Sequence, residues 1–120
     1  MIRGIRGATT VDENEKDAII DATTKLLQET IDQNKLSAES VASIHFTMTE
    51  DLNAVFPAEA VRGFEGWTHV PLICSSEIAV QGSLPRCIRI LMLVNSIEEQ
   101  GAIQHVYLEK AVSLRPDLAS

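Results

Sequence analysis

The stretch Cys87-Ile-Arg-Ile-Leu-Met-Leu-Val94 decides the fold and raises the first functional question. Its apolar side chains would lie on both faces of an extended chain, a pattern typical of a strand covered on both sides. Arg89 is the one charge in this run, and its guanidinium cannot lose its proton. Burying it unpaired is strongly unfavourable. We therefore expect an anionic partner, either a carboxylate of the protein or one brought by a ligand, unless the side chain reaches water from a strand end.

The residues on either side of this run predict a single α/β or α+β domain over residues 1–120. Strands are predicted over 2–9, 41–49, 69–74, 77–80, 86–94 and 103–108, with 86–94 as the long central strand, and residues 110–120 are predicted to form a C-terminal tail. Apolar residues recur at helical spacing over 13–34, with Thr10 or Asp12 placed to cap the helix. Pro57 is placed to begin a second helix over 58–64. We expect a mixed sheet with two main helices on one face, and an open face or edge that favours oligomers.

Composition and charge exclude several classes of partner. The 120 residues are 45% hydrophobic and 22% charged, as in ordinary globular domains. The net charge of −7 leaves no basic patch for phosphates, so no nucleic acid partner is expected. No apolar run approaches the roughly 20 residues of a membrane span, so no membrane is expected. Cys74 and Cys87 lack metal spacing, and the strand-like start does not resemble a signal peptide, which together predict a cytoplasmic protein.

Most catalytic constellations are missing from the sequence. His45, His69 and His105 lie apart on strand-like segments, without the spacing of a zinc site. The chain has no glycine-rich phosphate loop and no nucleophile elbow, and no general base lies near Cys74 to activate its thiol. We therefore expect no metal and no cofactor. The few arginines of this acidic chain, if they converge, favour the binding of a small anion.

Five segments carry a resemblance to a known family. They are Arg3-Gly-Ile-Arg-Gly-Ala-Thr-Thr-Val11, Asp51-Leu-Asn-Ala-Val-Phe-Pro57, Cys87-Ile-Arg89, His105-Val-Tyr-Leu-Glu-Lys110 and Leu114-Arg-Pro-Asp-Leu118. In these segments the chain resembles the trimeric, monofunctional chorismate mutases, which differ in fold from the all-helical ones. The resemblance implies an α+β, pseudo-α/β-barrel homotrimer with active sites in clefts between subunits. It also implies an isomerase of the shikimate pathway that converts chorismate to prephenate for phenylalanine and tyrosine biosynthesis.

The chemistry of this family suits the residues that the chain offers. Chorismate undergoes a concerted Claisen rearrangement that requires no nucleophile, metal or acid–base pair. The enzyme selects the folded conformer and stabilises negative charge on the ether oxygen, where the resemblance places Arg89. Arg6 matches the arginine that binds a substrate carboxylate, and Glu77 matches the carboxylate that accepts a hydrogen bond from the ring hydroxyl. Without the resemblance, both would be read as solvated charges on strands.

Seven further positions match residues that contact the substrate in this family. They are Phe56, Arg62, Ile73, Cys74, Tyr107, Leu114 and Arg115. The resemblance implies that Cys74 contacts the ring hydroxyl and that Tyr107 binds the side-chain carboxylate, although a lone tyrosine in an apolar strand is usually core. Arg62 and Arg115 would otherwise be solvated surface charges. Ordering of Arg115 over bound substrate would act as a gate.

Two departures from the family and two alternative functions remain open at this stage. Glu59 stands where well-known relatives have a lysine, which predicts weaker steering of a dianion. Ile73 stands where some relatives have a hydroxyl residue, so one contact beside Cys74 is lost. The alternatives are a deaminase-type trimer, whose water-activating acid is not evident here, and a non-catalytic module that binds a small carboxylate at subunit interfaces. Replacing Arg89 by Ala would weaken such a module modestly but would abolish mutase turnover.

Overall fold

The computed structural model describes residues 1–115 and contains one mixed five-stranded sheet. The strands are β1 (Ile2–Thr10), β2 (Val41–Met48), β3 (Leu72–Ser76), β4 (Cys87–Asn95) and β5 (Val106–Tyr107), in the spatial order β3-β2-β4-β1-β5. Strand β4 runs antiparallel to both β1 and β2, whereas the outer pairs β1/β5 and β2/β3 are parallel. The run that contains Arg89 is therefore the central strand, as predicted.

One face of the sheet is covered by helices and forms the main core. Helix α1 (Lys16–Asn34) packs Leu26 into this core, and the 3₁₀ helix Pro57–Gly63 packs beside it. Alternate side chains of β4 are buried here: Ile88, Ile90, Met92 and Val94. Gly7 lets helix and sheet approach closely, because a Cβ there would lie 2.9 Å from Cγ1 of Ile90 and 3.2 Å from Cδ1 of Leu26. The prediction of helices on one face is confirmed.

The opposite face, called here the open face, contradicts the prediction of a central strand covered on both sides. Leu91 and Leu93 of β4 are 43% and 37% exposed on this face. Within residues 1–115, its cover comes from the 3₁₀ helix Glu109–Leu114, which packs near Ala8 and Cys87 at one end of the sheet. One set of alternate side chains in this apolar run therefore packs into the core of the chain. The other set lies on a surface that a single chain leaves uncovered.

The start of α1 and the type of the second helix differ from the prediction. Helix α1 begins at Lys16 and is capped by Glu15, not by Thr10 or Asp12. The reason is that β1 continues to Thr10, which pairs with Cys87 and is therefore still part of the sheet. The second predicted helix is present over Pro57–Gly63, but it is a 3₁₀ helix and not an α-helix.

The strand predicted over 77–80 is wrong. The backbone N–H of Glu77 still donates to the carbonyl of Met48 at 2.8 Å, but Ile78 is 84% exposed and the chain then turns. Within the described residues β3 pairs with β2 alone, and β2 ends at Met48, opposite Ser76, so no strand is available to extend the pairing beyond Glu77. The strand predicted over 103–108 is shortened to Val106–Tyr107 for a similar reason: its pairing with β1 covers two positions.

The predicted C-terminal tail begins as ordered structure. Residues Glu109–Leu114 form a 3₁₀ helix, whereas residues 116–120, with the end of the segment Leu114-Arg-Pro-Asp-Leu118, lie outside the described residues. In the described part of the chain, no helix has the length and apolar character needed to cross a membrane.

Candidate active site

The register of four strands places several side chains in one row across the open face. Arg89 of β4 is opposite Ala8 of β1 and Thr47 of β2, and Ala8 is in turn opposite Tyr107 of β5. Paired residues direct their side chains to the same face of a sheet. Arg6 precedes Ala8 by two positions on β1, so it shares this face. Three predicted site residues, Arg6, Arg89 and Tyr107, therefore lie on one surface.

Glu77 is the anionic partner that the sequence requires for Arg89. Nε of Arg89 lies 2.9 Å from Oε1 of Glu77, and the hydroxyl of Thr47 donates to the same oxygen at 2.5 Å. The Nε atom is covered, yet it has no well-aligned hydrogen bond among residues 1–115, so its contact with Glu77 is an ion pair. The side chain of Arg89 is 43% exposed, against 20% for Glu77. Arg89 is thus paired at Nε while a large part of its side chain remains accessible.

A buried thiol lies next to this ion pair. Cys87 is fully buried, and burial raises the pKa of its thiol above the usual value. The nearby positive charge of Arg89 and a hydrogen bond to it act in the opposite direction, whereas the negative charges of Glu77 and Asp51 raise the pKa further. Since the net direction is upward, Cys87 is a protonated packing group at neutral pH and not a nucleophile.

His105 lies beside Arg6 and is influenced by the charge of Arg115. The backbone N–H of Arg6 donates to Nδ1 of His105 at 2.9 Å, which requires that Nδ1 carry no proton. The pKa of His105 is lowered by burial and, to a smaller extent, by the positive charges of Arg6 and Arg115. Arg115 is therefore close enough to affect the charge state of this imidazole. Arg6, the predicted carboxylate-binding residue, therefore lies beside a neutral histidine.

Tyr107 and Leu114 close one end of the open face. Tyr107 is 5% exposed and packs with Ala8, Cys87 and Ala111, and Leu114 joins this cluster from the last 3₁₀ helix. Within a single chain, Tyr107 thus fits the simpler interpretation of a core aromatic. Its contact with a substrate stays a prediction, as does that of Leu114.

The remaining predicted residues line a second region, called here the edge cleft. This open cleft of about 710 Å³ lies beside the edge strand β3, on the side of the sheet away from β5. Its lining includes Phe56, Arg62, Ile73 and Cys74. Phe56 and Ile73 are 68% and 64% exposed, although both are large apolar side chains. Exposed apolar surface of this kind is typical of sites where another molecule or another copy of the chain binds.

Glu59 has a direct partner at the edge cleft. Its Oε1 lies 3.6 Å from Nη1 of Arg62, one helical turn away. The side chain of Arg62 is 83% exposed and that of Glu59 31%, so water screens much of this attraction. Glu59 therefore lowers the positive potential around a predicted substrate-binding arginine, Arg62, in addition to the weaker steering expected from the sequence.

Asp51 anchors the start of β4, which sequence analysis missed. Its Oδ2 and Oδ1 accept from the backbone N–H of Arg86 at 2.9 and 3.1 Å, and Oδ1 also accepts from the hydroxyl of Thr49. That hydroxyl accepts in turn from the backbone N–H of Cys87 at 2.9 Å. Arg86 has φ of 47°, an uncommon conformation for a residue with a side chain. These bonds therefore hold a strained turn just before Arg89.

Thr47 and His105 were also missed as parts of the site; Thr47 has no local signal in the sequence, whereas His105 begins one of the five segments that carry the family resemblance. Each acts on a residue of another segment, so only the strand register reveals its role. Asp51 offered the same signal, because it too begins one of these segments.

The fold and this site together define a class of protein. It is a small α+β domain with two arginines, Arg6 and Arg89, on one face of its sheet, an arrangement suited to binding an anion and to electrostatic stabilisation. Among the described residues, no group of three His, Cys, Asp or Glu side chains could hold a metal ion.

The comparisons with known proteins give the family. The model of the family chorismate mutase type I matches residues 2–118. The chain is 49% identical over 119 residues to chorismate mutase AroH of Bacillus subtilis (strain 168), covering 99% of this chain and 94% of that protein. It is 50% identical over 121 residues to chorismate mutase AroH of Thermus thermophilus, with coverage of 100% and 98%. A solved chorismate mutase from Clostridium thermocellum has a TM-score of 0.89 and 48% identity, covering 92% of this chain and 97% of that one. The chain therefore belongs to the type I chorismate mutase family, and it is an isomerase.

Proposed function

We propose that the protein converts chorismate to prephenate by a cofactor-independent Claisen rearrangement, at active sites that adjacent copies of the chain form together. This reaction serves aromatic amino-acid biosynthesis. The observation that carries the proposal is the state of Arg89, which is paired with Glu77 through Nε and still 43% exposed on the open face. A fixed, accessible and permanently charged group is what stabilisation of a developing anion requires.

The reaction requires electrostatic help and no proton transfer. The ether C–O bond of chorismate breaks as a new C–C bond forms, and all the electrons that move belong to the substrate. Negative charge develops on the ether oxygen in the transition state, and the guanidinium of Arg89 stabilises it there. A fixed donor at such an oxygen lowers the barrier by about 3–4 kcal/mol. Holding the substrate in its folded conformer lowers the entropic part of the barrier.

The other polar residues of the open face orient the substrate in this proposal. Arg6 and Arg115 bind carboxylates of the dianion, and Tyr107 donates a hydrogen bond to the side-chain carboxylate. Glu77 accepts from the ring hydroxyl while its Oε1 remains with Arg89. Because arginine forms bidentate pairs with carboxylates, the arrangement fixes position as well as charge.

The edge cleft completes the site of a neighbouring copy. Phe56, Arg62, Ile73 and Cys74 line that cleft beside β3, whereas Tyr107 lies on β5 at the other edge of the sheet. Rotational symmetry would place the cleft of one copy against the open face of the next. The exposed apolar residues Leu91 and Leu93 support such packing. We propose that the assembly is a homotrimer. We also propose the cytoplasm as its compartment, since Cys74 and Cys87 are free thiols.

The activity is tested by the loss of chorismate absorbance with excess chelator present. We expect metal-independent turnover by the wild type and a loss of at least about 10³-fold in kcat for the Arg89→Ala variant. Arg3→Ala is the matched control. It also removes an arginine contact, the hydrogen bond from Nε of Arg3 to the carbonyl of Glu98 (2.8 Å), but this contact lies near the far end of β4. Absence of turnover by the wild type would overturn the proposal, and equal turnover by Arg89→Ala would overturn the role of Arg89.

Shared sites are tested by mixing two inactive variants. Arg89→Ala damages the open face and Arg62→Glu damages the edge cleft, so mixed oligomers would contain some sites with both halves intact. We expect activity to return when the two proteins are denatured together and refolded, and the native mass to be that of a trimer. If each site were built from a single chain, mixing would restore nothing.

A further inference from the structure

We infer that Thr47 is a positioning residue of this active site, which holds the Glu77 carboxylate so that it can serve Arg89 and the substrate at the same time. The inference rests on the proposed function, in which Glu77 accepts a hydrogen bond from the ring hydroxyl. Thr47 does not itself touch the reacting atoms. Its effect is transmitted through Glu77.

The contacts of Glu77 show why it needs such support. Glu77 lies one residue beyond the end of β3, and the next residue, Ile78, is 84% exposed. One backbone bond ties Glu77 to the sheet, from its N–H to the carbonyl of Met48 at 2.8 Å. Its side chain therefore projects from the end of an edge strand, just beyond the last paired residues of the sheet. A carboxylate at such a place requires further contacts to keep one orientation.

Thr47 supplies the contact that fixes the carboxylate. Its hydroxyl donates to Oε1 of Glu77 at 2.5 Å, and Nε of Arg89 lies 2.9 Å from the same oxygen. Thr47 is directly opposite Arg89 in the register of β2 and β4, so both contacts come from the rigid centre of the sheet. Because both contacts occupy Oε1, Oε2 is the oxygen that can accept a hydrogen bond from the ring hydroxyl.

The donor from Thr47 also compensates for poor alignment at Arg89. The Nε–H of Arg89 is not directed at Oε1, so the ion pair alone is not strongly directional. A hydroxyl can rotate to suit its acceptor and provides the directional bond that the ion pair lacks. Loss of this hydroxyl would let the carboxylate rotate and shift both Arg89 and the substrate.

The first test compares Thr47→Val with Thr47→Ser. Valine keeps the shape and the strand preference of threonine but lacks the hydroxyl, whereas serine keeps the hydroxyl. We expect Thr47→Val to lower kcat about tenfold with a smaller change in KM, and Thr47→Ser to remain within about threefold of the wild type. Ser75→Ala is the matched control, because Ser75 is opposite Thr47 on β3 but its hydroxyl contacts His45 at 2.7 Å. We expect its kcat to stay at the wild-type value.

A double-mutant cycle separates positioning from a general structural effect. In the Glu77→Ala background, Thr47→Val should cause no further loss of kcat, because the group through which Thr47 acts is gone. A general disturbance of the sheet would instead give the same fold loss in both backgrounds. If Thr47→Val proves poorly folded by circular dichroism, Thr47→Ala takes its place in the same cycle.

Each result decides for or against the inference. Wild-type kcat in Thr47→Val, an equal loss in both backgrounds, or a loss in Thr47→Ser as large as in Thr47→Val would overturn it. These outcomes are distinct from failure of the proposed function, which would appear as absence of chorismate turnover by the wild type.

Discussion

Arg89 and Glu77 come from segments 12 positions apart in sequence, yet Nε of the first lies 2.9 Å from Oε1 of the second. The pair is a functional contact more than a stabilising one. Because the Arg89 side chain is 43% exposed, solvent screens the attraction and its contribution to stability falls below about 1 kcal/mol. Its geometric effect, however, is to fix a charge at the place where the substrate binds.

We therefore expect Glu77→Gln to affect catalysis and stability very differently. The variant should lose about 10²-fold in kcat/KM, because a charged acceptor and the orientation of Arg89 are lost together. Its free energy of unfolding, measured with urea, should change by less than about 1 kcal/mol. Lys25→Gln, which breaks the exposed ion pair between Lys25 and Glu109, should change neither quantity appreciably. A large loss of stability with activity retained would contradict this interpretation.

Glu59 provides a test of electrostatic binding at the edge cleft. Its carboxylate lies 3.6 Å from Arg62 and reduces the positive potential that a dianionic substrate encounters. We expect Glu59→Gln to lower KM for chorismate roughly two- to fivefold at low ionic strength, with kcat unchanged and the gain reduced by salt. Glu65→Gln makes the same charge change at an exposed residue outside the cleft lining. An equal effect of both variants would point to net charge and not to Arg62.

Asp51 should matter for both stability and catalysis because it holds the turn before β4. Asp51→Ala removes acceptors from the N–H of Arg86 and the hydroxyl of Thr49. We expect a loss of about 1–3 kcal/mol in stability and a lower kcat measured well below the melting temperature. Asp51→Asn, which keeps one acceptor, should lie between this variant and the wild type. Asp21→Asn on the exposed side of α1 is the control. Unchanged kcat in Asp51→Ala would show that Arg89 does not depend on this turn.

The pairing of Arg89 with Glu77 shows which part of the site could be predicted from the sequence alone. One charge in an apolar run was enough to predict that an anionic partner exists, and the structure confirms a carboxylate of the protein. The sequence could not show that it would be Glu77 before the family resemblance was considered. That choice depends on where β3 ends relative to β2, a relation between separate segments. The roles of the individual site residues toward a substrate stay predictions.

Two of the errors in the fold, at residues 77–80 and on the open face, share one physical cause. Residues 77–80 have the composition of a strand but lie beyond an edge strand, where pairing partners are absent among the described residues. Leu91 and Leu93 have the composition of a core but lie on a face that one chain leaves open. Local sequence patterns predict which secondary structure a segment prefers, whereas the neighbouring segments decide which structure it adopts. For the open face, the missing neighbour is another copy under the proposed assembly.

The two cysteines should differ strongly in reactivity. Burial raises the pKa of Cys87, although the charge of Arg89 lowers it in part, whereas Cys74 is partly exposed in the edge cleft. A disulfide reagent should modify one thiol per native chain, and Cys74→Ser should abolish this reaction. Prephenate should slow the reaction of Cys74 if the cleft forms part of the active site. Modification of Cys87 in the native protein at a similar rate would contradict its assignment as a buried packing group.

His105 makes the stability of the protein depend on pH in a defined direction. Its pKa is lowered by burial first and then by the charges of Arg6 and Arg115, so the folded chain resists its protonation. Below the usual histidine value of about 6.5, the unfolded chain therefore binds more protons than the folded one, and stability rises with pH. This contribution is complete above about pH 6.5 and is lost as the pH falls toward the folded-state pKa. A protonated Nδ1 would also lose the hydrogen bond from the N–H of Arg6.

Replacing His105 should remove much of this dependence. Asn offers an acceptor near the position of Nδ1 but does not titrate, so the urea midpoint of His105→Asn should fall less than that of the wild type between about pH 7 and 5. His69→Asn, at an exposed turn, should retain the wild-type dependence. If the wild type and His105→Asn lose stability in parallel on acidification, the groups responsible lie elsewhere, and Arg6 is not held by a neutral histidine.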